Sequence, residues 1–426
     1  MPPQKIIIDT DPGVDDILAL LLALSSSADE LQVLLISLTF GNIDIQNVLR
    51  NTVAMFHVLE LEREWRAQNG KKLGYETLAV HPPIVAVGAE GPLEGELLMA
   101  DYFHGIDGLG GVHTTAPHFT PQNSWAHLFD REAQLEAGET RKRHVPKNFR
   151  PSILPAHREM LRVLREEEEG TVTIVAVGPL TNLALAAEED LDTFLRAKEV
   201  VVMGGTIDME GNCTPVAEFN HYACAYSAAR IYALTSPSPQ STLPPSRSGF
   251  TLPTFPSTKR LNLVLFPLDI TTMHLLPQIT FSDAATPLGE AGSPLANWCS
   301  HFIAATYRKM EVLHKDAAGG RRVQDVHLSL HDPMCIYYIL TRDDPGWRWR
   351  RDRDVRVDAT GQWTRGMCVV DRRTRRAVGK EEELVVGDFD RWLHAGFGNR
   401  VQQVVGSPEG AEGALGGWLV WRVFGC

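Results

Sequence analysis

Four aspartates fall within eight residues at Asp9-Thr10-Asp11-Pro12-Gly13-Val14-Asp15-Asp16, directly behind the apolar run Ile6-Ile7-Ile8. Capping accounts for one or two carboxylates near a helix start, each gaining about 0.3–1 kcal/mol from the helix dipole. Four are too many, because at roughly 4 Å each like pair repels by about 1–4 kcal/mol depending on the dielectric. A bound cation removes that cost, and aspartate oxygens suit hard ions such as Ca2+ or Mg2+. An EF-hand is excluded: the twelfth loop position counted from Asp9 or Asp11 is Leu20 or Leu22, not glutamate.

Two further groups could do chemistry. The stretch 201–220 carries Met203, Asn212, Glu218 and Asn220. Amide and carboxylate side chains together donate and accept, which suits sugar hydroxyls, although the same residues would serve a long turn. At 331–333, His331-Asp332-Pro333 joins a side chain that titrates near neutrality to another carboxylate. Taken alone, His331 reads as a core histidine beside a helix start. His104, in the glycine-rich stretch 104–111, and His221 and His327 are open to either reading.

Positioning these groups requires a scaffold, and the chain alternates β-branched runs with helical stretches. That pattern predicts an α/β fold with a mostly parallel central sheet and helices on both faces, open and doubly wound. Strands are expected at 5–9, 33–40, 83–88, 171–178, 199–205 and 261–269, and helices after Asp11-Pro12, after Gly178 and from His331. Asp11 is expected as an N-cap with Pro12 at the first helical position. The chain reads as one domain over 1–426, with insertions at 61–76 (a charged linker), 112–150 and 235–258, and a divergent tail after about 400. The Ser-, Pro- and Thr-rich segment 235–258 calls for no regular structure.

With 44% hydrophobic and 22% charged residues, the 426-residue chain can bury a large core. A net charge of −12 argues against nucleic acid or an anionic membrane as partner. The arginines of 347–357 alternate with Asp352 and Asp354 and read as a solvated strand face. Six cysteines without pairing or regular spacing suggest neither zinc nor a disulfide framework. The apolar run Ile17–Leu24 is too short to span a membrane, and no signal-peptide pattern precedes the first strand. A cytoplasmic enzyme is expected.

Together the motifs DTDPGVDDILAL, TFGN (39–42), HGIDGLGG (104–111), VGPLTN (177–182), GNCTPVAEFN (211–220), HDP (331–333) and TRGMCVVD (364–371) resemble, in order and spacing, the inosine–uridine preferring nucleoside hydrolases. The resemblance runs from about residue 5 to about residue 400. It implies Ca2+-dependent hydrolysis of the N-glycosidic bond of ribonucleosides, by a homodimer or homotetramer. Position by position it implies Asp11, Asp16, Asp332 and the carbonyl of Val177 as calcium ligands. Asp15 and Asn42 would hold ribose hydroxyls. Asn212, Glu218 and Asn220 would bind the rest of the sugar, with Met203 and Phe219 lining the pocket. Asp11 would deprotonate the attacking water, His331 would serve the departing base, and His104 would sit on a loop closing over that base. Pyrimidine-preferring relatives carry a second histidine two residues before that of HDP; here it is Ser329, which argues against strict pyrimidine specificity.

Two alternatives stand beside this reading. IIIDTD also resembles the start of a haloacid-dehalogenase-type Mg2+ phosphatase, although that family wants Thr or Val where Gly13 stands. A non-catalytic, calcium-dependent binder of nucleosides or sugars would need the same metal ligands but neither Asp11 as base nor His331.

Overall fold

The computed structural model describes residues 2–121, 125–130, 147–245, 259–317, 326–380, 382, 384–408 and 410–425. The apolar, β-branched runs assemble into a nine-stranded sheet. Its strands are β1 (Gln4–Thr10), β2 (Leu31–Leu38), β3 (Ile84–Val87), β4 (Arg150–Pro151), β5 (Val172–Ala176), β6 (Glu199–Met203), β7 (Leu263–Phe266), β8 (Arg348–Arg353) and β9 (Val401–Gly406). Across the sheet the order is β8-β9-β7-β6-β5-β1-β2-β3-β4, parallel throughout except where β8 runs against β9. All six expected strands are present, each within a few residues of its expected ends.

Alternate residues of the strands point to opposite faces, and both faces are buried. Ile6 and Ile8 face one apolar layer and Ile7 the other. The longer helices are α1 (Val14–Leu24), α2 (Ile45–Gln68), α3 (Ala156–Glu166), α4 (Thr181–Glu189), α5 (Ala225–Ala233), α6 (Gln278–Glu290), α7 (Pro294–Ala317), α8 (His331–Thr341) and α9 (Ala411–Phe424). α3, α4 and α5 pack on one face and the other six on the opposite face, the doubly wound arrangement. The exposed arginines of β8 line the sheet edge, as expected, where charge discourages pairing with another chain.

Two expectations are corrected. Residues 61–68 are no linker: α2 runs unbroken through them, because Glu62 and Arg66 form a buried ion pair at 2.7 Å. Glu62 also accepts from Ser293 Oγ (2.7 Å) and Leu295 N (3.1 Å), so this charged stretch holds the start of α7. Residues beyond 400 are built into the same fold, since β9 fills an interior place between β7 and β8 and α9 packs into the core. The first helix starts at Val14 with Gly13 as N-cap, leaving Asp11 and Pro12 in the turn before it. Within the other two expected insertions, 122–124, 131–146 and 246–258 lie outside the described residues.

Candidate active site

After β1, the chain adds β2, β3 and β4 on one side and then returns to place β5 on the other. Loops leaving the carboxyl ends of β1 and β5 therefore diverge, and such a switch point opens a crevice in parallel sheets. The aspartates lie in it: Asp11 follows β1, Val177 follows β5 and Asp332 sits in the first turn of α8.

Asp16 organises the turn. Its carboxylate accepts from Thr10 Oγ1 (2.6 Å), Asp11 N (3.2 Å), Gly13 N (3.1 Å) and Asn42 Nδ2 (2.8 Å). Asp11 is held differently. Its Oδ2 accepts from Asn42 N (2.7 Å), while Oδ1 is buried with no hydrogen-bond partner. The carboxylate fits only because two neighbours lack side chains: a Cβ on Gly41 would meet Oδ2 at 2.0 Å, and one on Gly178 would meet Oδ1 at 2.4 Å.

The structure brings carboxylate oxygens of Asp15, Asp16 and Asp332 within 4.8 Å of one another, all three residues buried. Asp11 stands beside this trio, its carboxylate turned toward Gly41 and Gly178. Burial raises the pKa of all four carboxyls and like charge adds to it for Asp11, Asp15 and Asp332. Asp15 is pushed up to about 8. An unpartnered buried oxygen beside three crowded carboxylates fits a hard divalent cation.

A cavity of about 300 Å³ opens over the trio, lined by Asp15, Asn42, Val177, Met203, Asn212, Glu218, Phe219, Asn220, His104, His331 and Asp332. Of the residues expected in the site, Asp11 and Asp16 alone lie behind its wall. Glu218 caps the short helix Phe219–Ala223, accepting from Gly205 N (2.7 Å), Asn220 N (2.7 Å) and His221 N (3.1 Å). Asn220 Nδ2 donates to the Val177 carbonyl at 2.8 Å, and Asn212 Oδ1 accepts from Phe219 N at 2.9 Å.

Both cavity histidines are neutral near pH 7, because burial lowers His104 to about 3 and His331 to about 4. Val14 N donates to His104 Nδ1 at 3.2 Å, so the neutral ring carries its proton on Nε2. His331 Nδ1 lies 2.8 Å from Thr271 Oγ1. His104 does not hang on a loose loop: Asp107 accepts from Leu109, Gly111 and His113 amides, and Asn51 donates to both Pro12 O (2.8 Å) and Asp107 O (2.9 Å).

Sequence reasoning missed Tyr102, Phe103 and Met310, which complete the cavity wall with Ala100, Leu328 and Ser329. Tyr102 and Phe103 immediately precede the glycine-rich stretch and could have been found there; Met310 lies on α7 with no local signal. His221 is structural, buried between Tyr232 Oη and Cys368 Sγ at 3.3 Å each. His327 belongs to a two-stranded ribbon with Leu275–Pro277. Asp9, the nucleophile under the phosphatase reading, is fully buried against Ser37 and Asn182 and does not reach the cavity.

The profile of the family described as inosine-uridine preferring nucleoside hydrolase matches residues 6–391. The pyrimidine-specific ribonucleoside hydrolase RihA of Salmonella paratyphi C (strain RKS4594) is 30% identical over 390 residues, 91% of this chain and 94% of that protein. Among solved structures, the plant nucleoside hydrolase PpNRh1 superposes with a TM-score of 0.65 at 22% identity, covering 100% of both chains. The purine-preferring ribonucleoside hydrolase of Gardnerella vaginalis gives 0.64 at 18% identity, over 99% of this chain and 98% of that one. At these identities, the two structures establish the fold.

Proposed function

The chain belongs to the inosine–uridine preferring nucleoside hydrolase family, and from that premise we propose that it hydrolyses the N-glycosidic bond of ribonucleosides to ribose and free base, with Ca2+ at the aspartate cluster. The observation that carries the reading is the shared cavity: Asp15 and Asp332 of the crowded carboxylate trio, the amides of Asn42, Asn212 and Asn220, and two neutral histidines face one space of about 300 Å³.

Asp11, Asp16, Asp332 and the Val177 carbonyl would hold the ion, with Asp15 close enough to share it. When bound, Ca2+ supplies positive charge that lowers the energy of an ionising water and of the ribose hydroxyls beside it. Asp15 and Asn42 grip those hydroxyls from the protein side, and Asn212, Glu218 and Asn220 fix the rest of the ring against Met203 and Phe219. The bond from the anomeric carbon to the base nitrogen breaks with its electron pair leaving on the base. Water adds to the oxocarbenium-like carbon and gives its proton to Asp11, whose Oδ1 has no other partner. His331, neutral in this site, meets the charge developing on the base as a hydrogen-bond donor.

Buried free thiols at Cys224, Cys299, Cys335 and Cys368 favour a reducing, cytoplasmic setting, and no helix among the described residues is long and apolar enough to cross a membrane. We place the enzyme there as a homodimer or homotetramer. Incubation with inosine and uridine is expected to release reducing sugar, and p-nitrophenyl phosphate is expected to stay intact. The opposite result would return the phosphatase reading. Comparing ribonucleosides by kcat/KM ranks the bases, with Ser329 in the wall beside them.

A further inference from the structure

A histidine that serves the departing base must present a proton, and a neutral imidazole has one proton for two nitrogens. Which nitrogen carries it is set by the partner of the other. In His331 the other nitrogen is Nδ1, 2.8 Å from the hydroxyl of Thr271. Thr271 ends the short helix Leu268–Thr271 just after β7 and is fully buried. Its hydroxyl makes no other side-chain bond among the described residues, and Nε2 of His331 is left to the cavity.

Two arrangements are open to this pair. If Nδ1 donated, the threonine hydroxyl would keep a buried, unused proton, and Nε2 would present a lone pair to the base. If the hydroxyl donates, every proton is used and only a spare acceptor lone pair on oxygen is left over. The second is favoured, because a buried donor without a partner costs about 1–3 kcal/mol.

We propose that Thr271 is a positioning residue whose hydroxyl donates to His331 Nδ1 and thereby sets the tautomer that presents Nε2–H to the departing base. The inference rests on the reading of His331 as the group that serves that base. Thr271 does not line the cavity and reaches it only through His331.

The test compares wild type, Thr271→Val, Thr271→Ser and His331→Ala in the full chain assayed with Ca2+. Inosine is one substrate, and p-nitrophenyl riboside, whose leaving group departs without help, is the other. Thr271→Val keeps the shape and removes the hydroxyl. It is expected to lower kcat on inosine by about 10- to 100-fold, the usual loss when the partner orienting a functional histidine is removed. KM should change little and p-nitrophenyl riboside should stay within about 3-fold of wild type, while Thr271→Ser should restore most of the inosine rate. Nitrogen-15 NMR of the wild-type histidine ring should show the proton on Nε2, a readout independent of whether the valine variant folds. A proton on Nδ1, or equal loss on both substrates in a folded variant, overturns the proposal. Loss in His331→Ala without loss in Thr271→Val overturns the role of Thr271 alone; no loss in His331→Ala overturns the parent reading as well.

Discussion

The aspartate cluster and the Asp107–Asn51–His113 network that braces the glycine-rich loop beside it are both buried, and they treat their polar groups in opposite ways. In the loop, Asp107 accepts three backbone amides, and both nitrogens of His113 are engaged, by Thr120 at 2.7 Å and by Asn51 at 2.6 Å. Asn51 spends both amide protons on carbonyls. Across the turn, Asp15, Asp16 and Asp332 crowd together and Asp11 Oδ1 has nothing to bond. A satisfied network of this kind holds a shape by itself, whereas a deficient one is completed by something from outside. The contrast separates the residues that await a ligand from those that position them.

Removing the outside partner should give the largest effect. Chelation is expected to abolish nucleoside hydrolysis and added Ca2+ to restore it, with Asp16→Ala and Asp332→Ala each reproducing the loss, because too few anionic oxygens remain. Full activity in a metal-stripped sample would erase the distinction between the two regions. His331→Ala should slow inosine hydrolysis by about 10²–10⁴-fold, the range for a group acting on a leaving base, and spare p-nitrophenyl riboside. On the substrate side, 2′-deoxyinosine should lose about 1–3 kcal/mol of transition-state binding, since the groups meant for the missing hydroxyl stay unpaired. Equal rates on inosine and its deoxy form would place the sugar elsewhere.

Within the satisfied region the change should appear in stability. Asn51→Leu strands Pro12 O, Asp107 O and His113 Nε2, and is expected to lower unfolding free energy by about 2–4 kcal/mol while Ca2+ affinity measured by calorimetry changes little. The smallest effect is one of pH. With raised carboxyl pKa values, the ion-free folded chain holds protons that the unfolded chain has released between the ordinary value of 3.8 and about 8 for Asp15. Its stability therefore falls as pH climbs through that window, and Ca2+, which takes the ionised form, gains in the same direction. The rise in Tm on adding Ca2+ should be larger at pH 8 than at pH 5.

What could be read in the sequence was what repeats or crowds at short range. The strands announced themselves by β-branched runs, and the aspartates by a density of charge that capping does not explain. The sugar-side groups Asn212, Glu218 and Asn220 fall within nine residues of one another. What stayed hidden depends on pairing across long stretches of chain. Thr271 and His331 are 60 residues apart, and nothing near either one points to the other. Glu62 and Arg66 looked like a solvated linker because charge is usually exposed, and only the arrival of Ser293 shows why they are buried. Pro12 seemed a helix opener, but Asp16 caps the helix from within and moves its start to Val14.

The interior place of β9 has a consequence for synthesis. β7 ends at Phe266, and the neighbour that closes its free side is not complete until Gly406. At about 5–20 residues per second, the intervening stretch of roughly 140 residues takes on the order of 10 s to emerge from the ribosome. Throughout that interval a Leu-Val-Leu-Phe strand edge has no permanent partner, the kind of edge on which chains join one another. The nascent polypeptide should therefore lean on chaperones most heavily late in translation, after most of the catalytic residues have already been made.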